Sequence, residues 1–410
     1  MQSTKSWLEI SEERLRQNYD MLMRLCAAEG RSASVLAVVK ARAYGHGADL
    51  CAQVLASAGA SWLGVTDAKE GALVRRSLDV AHDSRGLRIL VMCGPLPEDA
   101  PTMVANQLTP VVWSADHLDW FSRGSTVVAP LPIHLEIDTG MSRQGVQPGT
   151  PLNLLLDCLS KKPQLRLEGI LTHFASAEIS GSPSTALQRQ RFETALTQAG
   201  NRGLRPEWIH VGNSSTIDEA NSLPWLQQIA SLYGARSLVR SGLALYGYCL
   251  PLENASSALR GLLHPVLSWK SRIVDLHDIS PGAAVGYNSS FIAPGAMRLA
   301  LLPVGYADGL RRELSASNAQ PGGWCILHGQ RAPIIGRVSM NLTTIDVTSI
   351  PRATLGDEVT LLGDGITAED HASIAHTIPY EILCGLRAEP QLIVAPVGGG
   401  PIPSPKNRGT

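Results

Sequence analysis

Residues 35–47 read VLAVVKARAYGHG. Five apolar residues run without a break, a single lysine stands at 40, and a loop with Tyr44 and His46 comes next. An unbroken apolar run of this length is the mark of a strand covered on both faces, as in a parallel sheet. Downstream, ADLCAQVLASAG (48–59) has helical spacing and WLGVTD (62–67) is again strand-like. The alternation continues through RILVMCG (88–94), LTPVVWS (108–114), PIHLEIDTG (132–140), LRLEGILTHF (165–174), EWIHVGNSS (207–215) and SLVRSGLALYG (237–247). Eight strands separated by helical stretches such as TALQRQRFETALTQAG predict βαβ units closing into a (β/α)8 barrel. An open doubly wound sheet normally has fewer strands, and no GxGxxG comes after the first one here.

Beyond residue 255 the texture changes. SWKSRIVDLHDI, MRLALLPVGYA, APIIGRVSM, LTTIDVTSI and GDEVTLLG are strand-like and separated by Gly and Pro turns, which predicts a smaller all-β domain. The expected organisation is an N-terminal strand (1–10) associated with the β domain, a barrel (11–254), a C-terminal β domain (255–395) and a disordered tail (396–410). The opening helix SEERLRQNYDMLMRLCAA places Leu15, Tyr19, Leu22 and Cys26 on one face, to pack on the barrel.

Composition narrows the function. Lys plus Arg number 35 against 36 Asp plus Glu, so no basic surplus suggests nucleic acid or an anionic membrane. No apolar run approaches a membrane span, and MQSTKSWLEISEER has no apolar leader core. Seven cysteines, scattered and with no CxxC, suggest neither a disulfide framework nor a metal site. A cytoplasmic protein acting on a small substrate is expected.

In such barrels the chemistry sits at the C-terminal strand ends. Lys40 ends the first strand, Glu136 and Asp138 the fifth with Arg143 just beyond, and His173 closes the sixth. His210, Asn213 and Ser214 lie on the seventh and Arg240 on the eighth. Singly, each passes for a satisfied core or rim residue; their convergence on one mouth is the signal. The last two loops, GNSST and RSGLALYG, offer glycines and a hydroxyl where barrels commonly hold phosphate. A phosphate site opposite a strand-end lysine suggests pyridoxal 5'-phosphate, whose aldehyde needs a lysine. Burial among Val38, Val39 and Ala41 is expected to disfavour the Lys40 ammonium.

VVKARAYGHG, HLEIDTGMSRQG, GILTHF, HVGNSS, VRSGLALYG, VGYNSSF, LPVGYADG and GRVSMNLTTIDVT together resemble, in order, the motifs of the alanine racemase family. The resemblance runs from about residue 6 to 385. It implies a fold-type III pyridoxal phosphate enzyme, a head-to-tail homodimer whose active sites are shared between subunits. It also implies a supply of D-alanine for peptidoglycan. By the match, Lys40 holds the cofactor as a Schiff base and is one base; Tyr287, from the partner subunit's β domain, is the other. Tyr44, Ser214 and the backbone of Gly242 and Leu243 reach the phosphate. His173 lies against the ring with Asn213 nearby, and Arg240 meets the pyridine nitrogen. Tyr306 lines the entry, while Arg143 and the Met340 amide hold the substrate carboxylate.

Three positions depart from the family pattern. Glu136 stands where many members carry a carbamylated lysine, and is expected to supply the anion by pairing with Arg143. Asn341 replaces the usual Asp, as in members of broader specificity. Ala388 occupies the place expected for a tyrosine that helps hold phosphate and narrows the entrance, so a more open pocket is expected. Alanine is the expected substrate, with a broad-specificity, serine or basic amino-acid racemase of the same fold as the alternative. The cysteine-containing motif of the decarboxylases of this fold is missing here and Tyr287 has no place in their mechanism, while single-barrel pyridoxal phosphate carriers end where this chain continues.

Overall fold

The computed structural model describes residues 5–27, 32–81 and 86–394; the expected tail at 396–410 lies outside them. Strands β1 (Ser6–Ser11) and β2 (Ser34–Val38) flank a helix, Glu12–Ala27. Then come β3 (Trp62–Val65), β4 (Arg88–Val91), β5 (Thr109–Val112), β6 (Leu131–Glu136), β7 (Leu165–Leu171), β8 (Trp208–Val211) and β9 (Arg236–Ser241). Strands β2 to β9 pair in sequence, all parallel, and β9 returns to β2 to close the barrel. All eight strands expected from the apolar runs are present. Val35, Leu36, Ala37 and Val38 of β2 are all buried, which is why alternation is absent there.

The C-terminal domain is mainly of strands: β10 (Leu267–Arg272), β11 (Asp275–Ile279), β12 (Ala284–Val285), β13 (Phe291–Ile292), β14 (Met297–Leu302), β15 (Trp324–Leu327), β16 (Gln330–Pro333), β17 (Thr343–Asp346), β18 (Glu358–Leu362) and β19 (Pro390–Ile393). They form a six-stranded sheet ordered β16-β15-β18-β10-β1-β19, a three-stranded sheet β11-β14-β17 and the hairpin β12-β13. The first strand of the chain thus lies inside the second domain's sheet, antiparallel to β10 and parallel to β19, with Leu8 and Ile10 fully buried.

The helix Glu12–Ala27 buries Leu15, Tyr19, Leu22 and Cys26 as its spacing requires, and also Asn18. That amide donates to the carbonyls of Leu245 (3.0 Å) and His264 (2.8 Å) and accepts from the His264 N–H (2.9 Å). A buried amide with its partners in place pins the helix to the chain leaving the barrel. Two short helices, Ala368–Ile374 and Pro379–Cys384, lie among the strands of the second domain. The first is announced by a capping box, Thr367 with Asp370, and the second by proline at its first turn.

Candidate active site

A cavity of about 380 Å³ opens at the C-terminal mouth of the barrel, and Lys40 is the one lysine among its lining residues. Lys40 is half-buried rather than sealed among Val38, Val39 and Ala41, because Ala41 itself is exposed. The backbone just after the lysine is unusual. Ala41, Arg42, Ala43 and Tyr44 have φ of 52°, 55°, 54° and 54°, a left-handed turn built from four residues that carry side chains. Such a conformation costs about 1–2 kcal/mol per residue, so the surroundings must impose it. Glu70 does so directly: Oε1 accepts from the Ala41 N–H (2.7 Å) and Oε2 from the Thr66 N–H (2.8 Å), tying the turn to the end of β3. Tyr44 is clamped between Tyr246 and Tyr380, with ring centroids 5.0 and 5.8 Å away. His46 is wholly buried, which pushes its pKa down to about 4 and keeps it neutral, and its Nδ1 lies 3.0 Å from the Tyr44 carbonyl. We predict that Glu70→Ala lowers stability by about 2 kcal/mol, the loss of charge-assisted bonds to two backbone amides. Denaturant unfolding reads this, and an unchanged midpoint would show that the turn needs no such tie.

Opposite the lysine, the loops after β8 and β9 make a cradle. Asn213 caps the helix Ser214–Glu219, accepting from the Thr216 N–H at 3.2 Å. Ser214 Oγ accepts from the N–H groups of Gly242 and Ala244, both at 3.2 Å. Gly242 is a close approach: a Cβ there would fall 2.1 Å from Tyr44 Oη. Ser214, Gly242 and Leu243 line the cavity together with Tyr44. Hydroxyls, turn N–H groups and a helix start facing one hollow suit a phosphate.

The floor is cationic. Arg240, buried to 6% exposure, donates from Nη2 to the Thr172 carbonyl (2.8 Å) and to His173 Nδ1 (3.0 Å). Burial brings its pKa down to about 10, with Glu136 opposing. His173 is pushed to about 3, by burial first and then by the positive charges of Arg240, Arg143 and Lys40. Glu136 is the counter-anion, but not as expected. Its carboxylate accepts from Gln144 Nε2 at 2.5 Å, and Gln144 also donates to the Met92 carbonyl at 2.9 Å. Among the described residues no ion pair joins Glu136 to Arg143. Burial raises the Glu136 pKa, and the strongest opposing influence is Arg240 rather than Arg143. Arg143 lines the cavity and, among the described residues, has no carboxylate of its own.

Position 388 holds no side chain that lines the cavity. A tyrosine is present at the cavity: Tyr380, carried by the helix Pro379–Cys384, lines it beside Tyr44. Ala388 instead packs against the main core. Tyr380 stands in PYEILC, eight residues before Ala388 of CGLRAEP.

Four expected residues are not brought to this cavity within one chain. Tyr287, Tyr306 and Met340 are 68%, 43% and 56% exposed, and Asn341 is exposed beside them in sequence. The loops that carry them adjoin in the second domain. The Tyr306 N–H donates to the Ser339 carbonyl (3.0 Å) and the Ala307 N–H to the Met340 carbonyl (2.9 Å), while the backbone of Gly286 abuts Gly336 and Arg337. Asp308 is a turn residue, accepting from the Gly305 N–H at 2.9 Å.

Residues 10–250 match the model of the alanine racemase N-terminal domain, and residues 266–394 that of its C-terminal domain. The chain belongs to the alanine racemase family. It is 36% identical to the alanine racemase of Syntrophobacter fumaroxidans over 388 residues, covering 93% of this chain and 95% of that one. The alanine racemase of Geobacter sulfurreducens is 34% identical, with 94% and 96% covered. Among solved structures, the alanine racemase of Streptomyces coelicolor A3(2) superimposes with a TM-score of 0.82 at 31% identity, covering 95% of this chain and 98% of that one. That of Bartonella henselae, described with covalently bound pyridoxal phosphate, does so with 0.77 at 26% identity, covering 95% and 99%. The alanine racemase family depends on pyridoxal phosphate, and this chain has the family's barrel and second domain over its described length. No helix among the described residues is long and apolar enough to cross a membrane.

Proposed function

We propose that this chain interconverts L- and D-alanine with pyridoxal phosphate, as a homodimer in which each active site takes residues from both subunits. The observation that carries the reading is the meeting, in one cavity, of Lys40 with the Tyr44, Ser214 and Gly242 cradle and with the buried cation Arg240. The Gly242 approach and the inward hydroxyls fit the phosphate, and Lys40 fits the aldehyde. Tyr44, Ser214, Tyr380 and the N–H groups of Gly242 and Leu243 would hold the phosphate. Lys40 would hold the other end covalently.

When bound, pyridoxal phosphate acidifies the Cα–H of an attached amino acid by drawing electrons into its ring. Inverting that carbon then needs a proton removed on one face and one delivered on the other. Lys40 Nζ serves the first face. Tyr287 of the partner subunit serves the second; its exposure within one chain is what a residue completing a neighbour's site shows. Arg240 can only donate hydrogen bonds, so beside the pyridine nitrogen it would leave that nitrogen unprotonated and the electron withdrawal weak. Weak withdrawal favours quick return of a proton to Cα over transamination. Arg143, free of any carboxylate among the described residues, would take the substrate carboxylate together with the Met340 amide of the partner subunit, and Tyr306 would line the entry. Glu136 supplies a fixed anion beside Arg240 where a carbamylated lysine is common, reaching Arg143 only through space. A supply of D-alanine for peptidoglycan is the corresponding role.

Tyr380 narrows the cavity, which favours a small substrate; Asn341, neutral, is the feature that favours a wider range. We predict that purified holoenzyme forms D-alanine from L-alanine at least about ten-fold faster than it forms D-serine, D-lysine or D-arginine, the discrimination that one or two side-chain contacts supply. Chiral chromatography measures all four. Comparable rates would make this a broad-specificity racemase.

A further inference from the structure

Four polar side chains cross the barrel interior from its floor to the cavity. Arg240 Nη1 lies 3.1 Å from His210 Nδ1, and His210 Nε2 lies 2.8 Å from His134 Nδ1. His134 Nε2 is 3.4 Å from Glu168 Oε2. Glu168, His134 and His210 are completely buried. The proton positions are set by one fact: a guanidinium has no acceptor. His210 Nδ1 must therefore accept, which places its proton on Nε2, where it donates to His134 Nδ1. His134 in turn carries its proton on Nε2, which lies at ion-pair distance from the carboxylate but without hydrogen-bond geometry. The two hydrogen-bond donors of the column, Arg240 and His210, point the same way, toward His134 and the carboxylate beyond it. By the same reasoning Arg240 Nη2 fixes His173 with Nδ1 accepting, leaving Nε2–H as the free donor of a ring that lines the cavity.

The foot of this column is built for its place. Glu168 takes two bonds from Arg88, at 2.7 and 2.5 Å, and one from Arg166 at 2.7 Å. Burial opposes its ionisation, but His134 and Arg88 hold its pKa at about 2. The register of β6 and β7 shifts between Ile133 and His134, so that Glu168 is left as the extra residue of a bulge. Bulges re-aim side chains near active sites. At the next residue, Gly169, a Cβ would fall 2.5 Å from His134 Nδ1. Two consecutive residues of β7 are thus fitted to His134, one by its charge and one by its lack of a side chain. Packed apolar residues are often at least as stabilising as a buried charge network, so stability alone does not account for the column.

We propose that Glu168, through His134 and His210, is a positioning residue for Arg240. The one-way column fixes the orientation of the guanidinium and, through it, the proton of His173. The consequence for turnover rests on the racemase reading; the column itself does not.

The test is 15N NMR of histidine-labelled holoenzyme, wild type against Glu168→Gln and against the double variant Arg88→Met/Glu168→Gln. The double variant removes both members of the ion pair, so it leaves no unpaired Arg88 if the single variant fails to fold. In the wild type, His134, His173 and His210 are expected to carry their protons on Nε2 alone. In the variants the His210 and His173 Nδ1 signals shift, and kcat falls by about ten-fold with KM nearly unchanged, the size of effect an outer hydrogen-bond partner has. A wild-type His210 protonated on Nδ1, or His210 and His173 signals unmoved in the double variant, overturns the proposal. If the signals respond as expected in a wild type that does not racemise alanine, the column stands and the functional reading fails.

Discussion

Lys40→Ala is expected to fold and dimerise as the parent does, yet to lose racemisation by at least about a thousand-fold, the upper range for removing one acid–base group. The side chain lies half-buried at the cavity, so its truncation opens no void in the apolar core. Loss of the amine also removes the covalent tie to the cofactor. Borohydride reduction of the parent followed by proteolysis is expected to leave cofactor on the peptide containing residue 40, and on no peptide of the variant. Substantial turnover by the variant would displace Lys40 from the mechanism. Cofactor found on another lysine would place the site elsewhere.

Tyr287→Phe is expected to be about as damaging, but its more informative use is in a mixture. Tyr287 is 68% exposed and does not line the cavity of its own chain. If sites are shared, a dimer of one Lys40→Ala chain and one Tyr287→Phe chain holds one site with both mutations and one with neither. Unfolding and refolding the two inactive proteins together in equal amounts should then restore about a quarter of the parent activity, since half the dimers are mixed and each has one intact site. If both bases came from one chain, every site would lack one of them and no activity would return. The measurement therefore decides shared against self-contained sites, whatever the absolute rates.

The barrel is legible in the sequence because strands rich in apolar residues alternate with helically spaced stretches and end in polar residues, and these features are local. That is why Lys40, His173 and Arg240 can be placed at one mouth from sequence alone. Other features are not legible, each for a physical reason. The left-handed turn at 41–44 contains no glycine, so nothing in ARAY marks it; the force that holds it comes from Glu70, on a different element. Glu168 faces the interior through a bulge, and a bulge breaks the two-residue alternation by which strand faces are assigned. Tyr380 sits on a helix of six residues, too short for a periodic pattern to show, and only the proline at its start hints at it. The expected pairing of Glu136 with Arg143 fails because Arg143 and Gln144 are neighbours, and the loop turns the amide, not the guanidinium, toward the carboxylate.

Hydrogen exchange at Cα tests the two-base racemase most directly. Holoenzyme is incubated separately with L-alanine and D-alanine in deuterium oxide, and each product enantiomer is separated and weighed by mass spectrometry. The enantiomer formed is expected to carry deuterium at Cα from the first turnovers in both directions, because the proton returned by the second base comes from solvent-exchanged Tyr287 or Lys40. Bound cofactor with no deuterium entering either enantiomer, or product formed with the original hydrogen retained throughout, would contradict the two-base racemase.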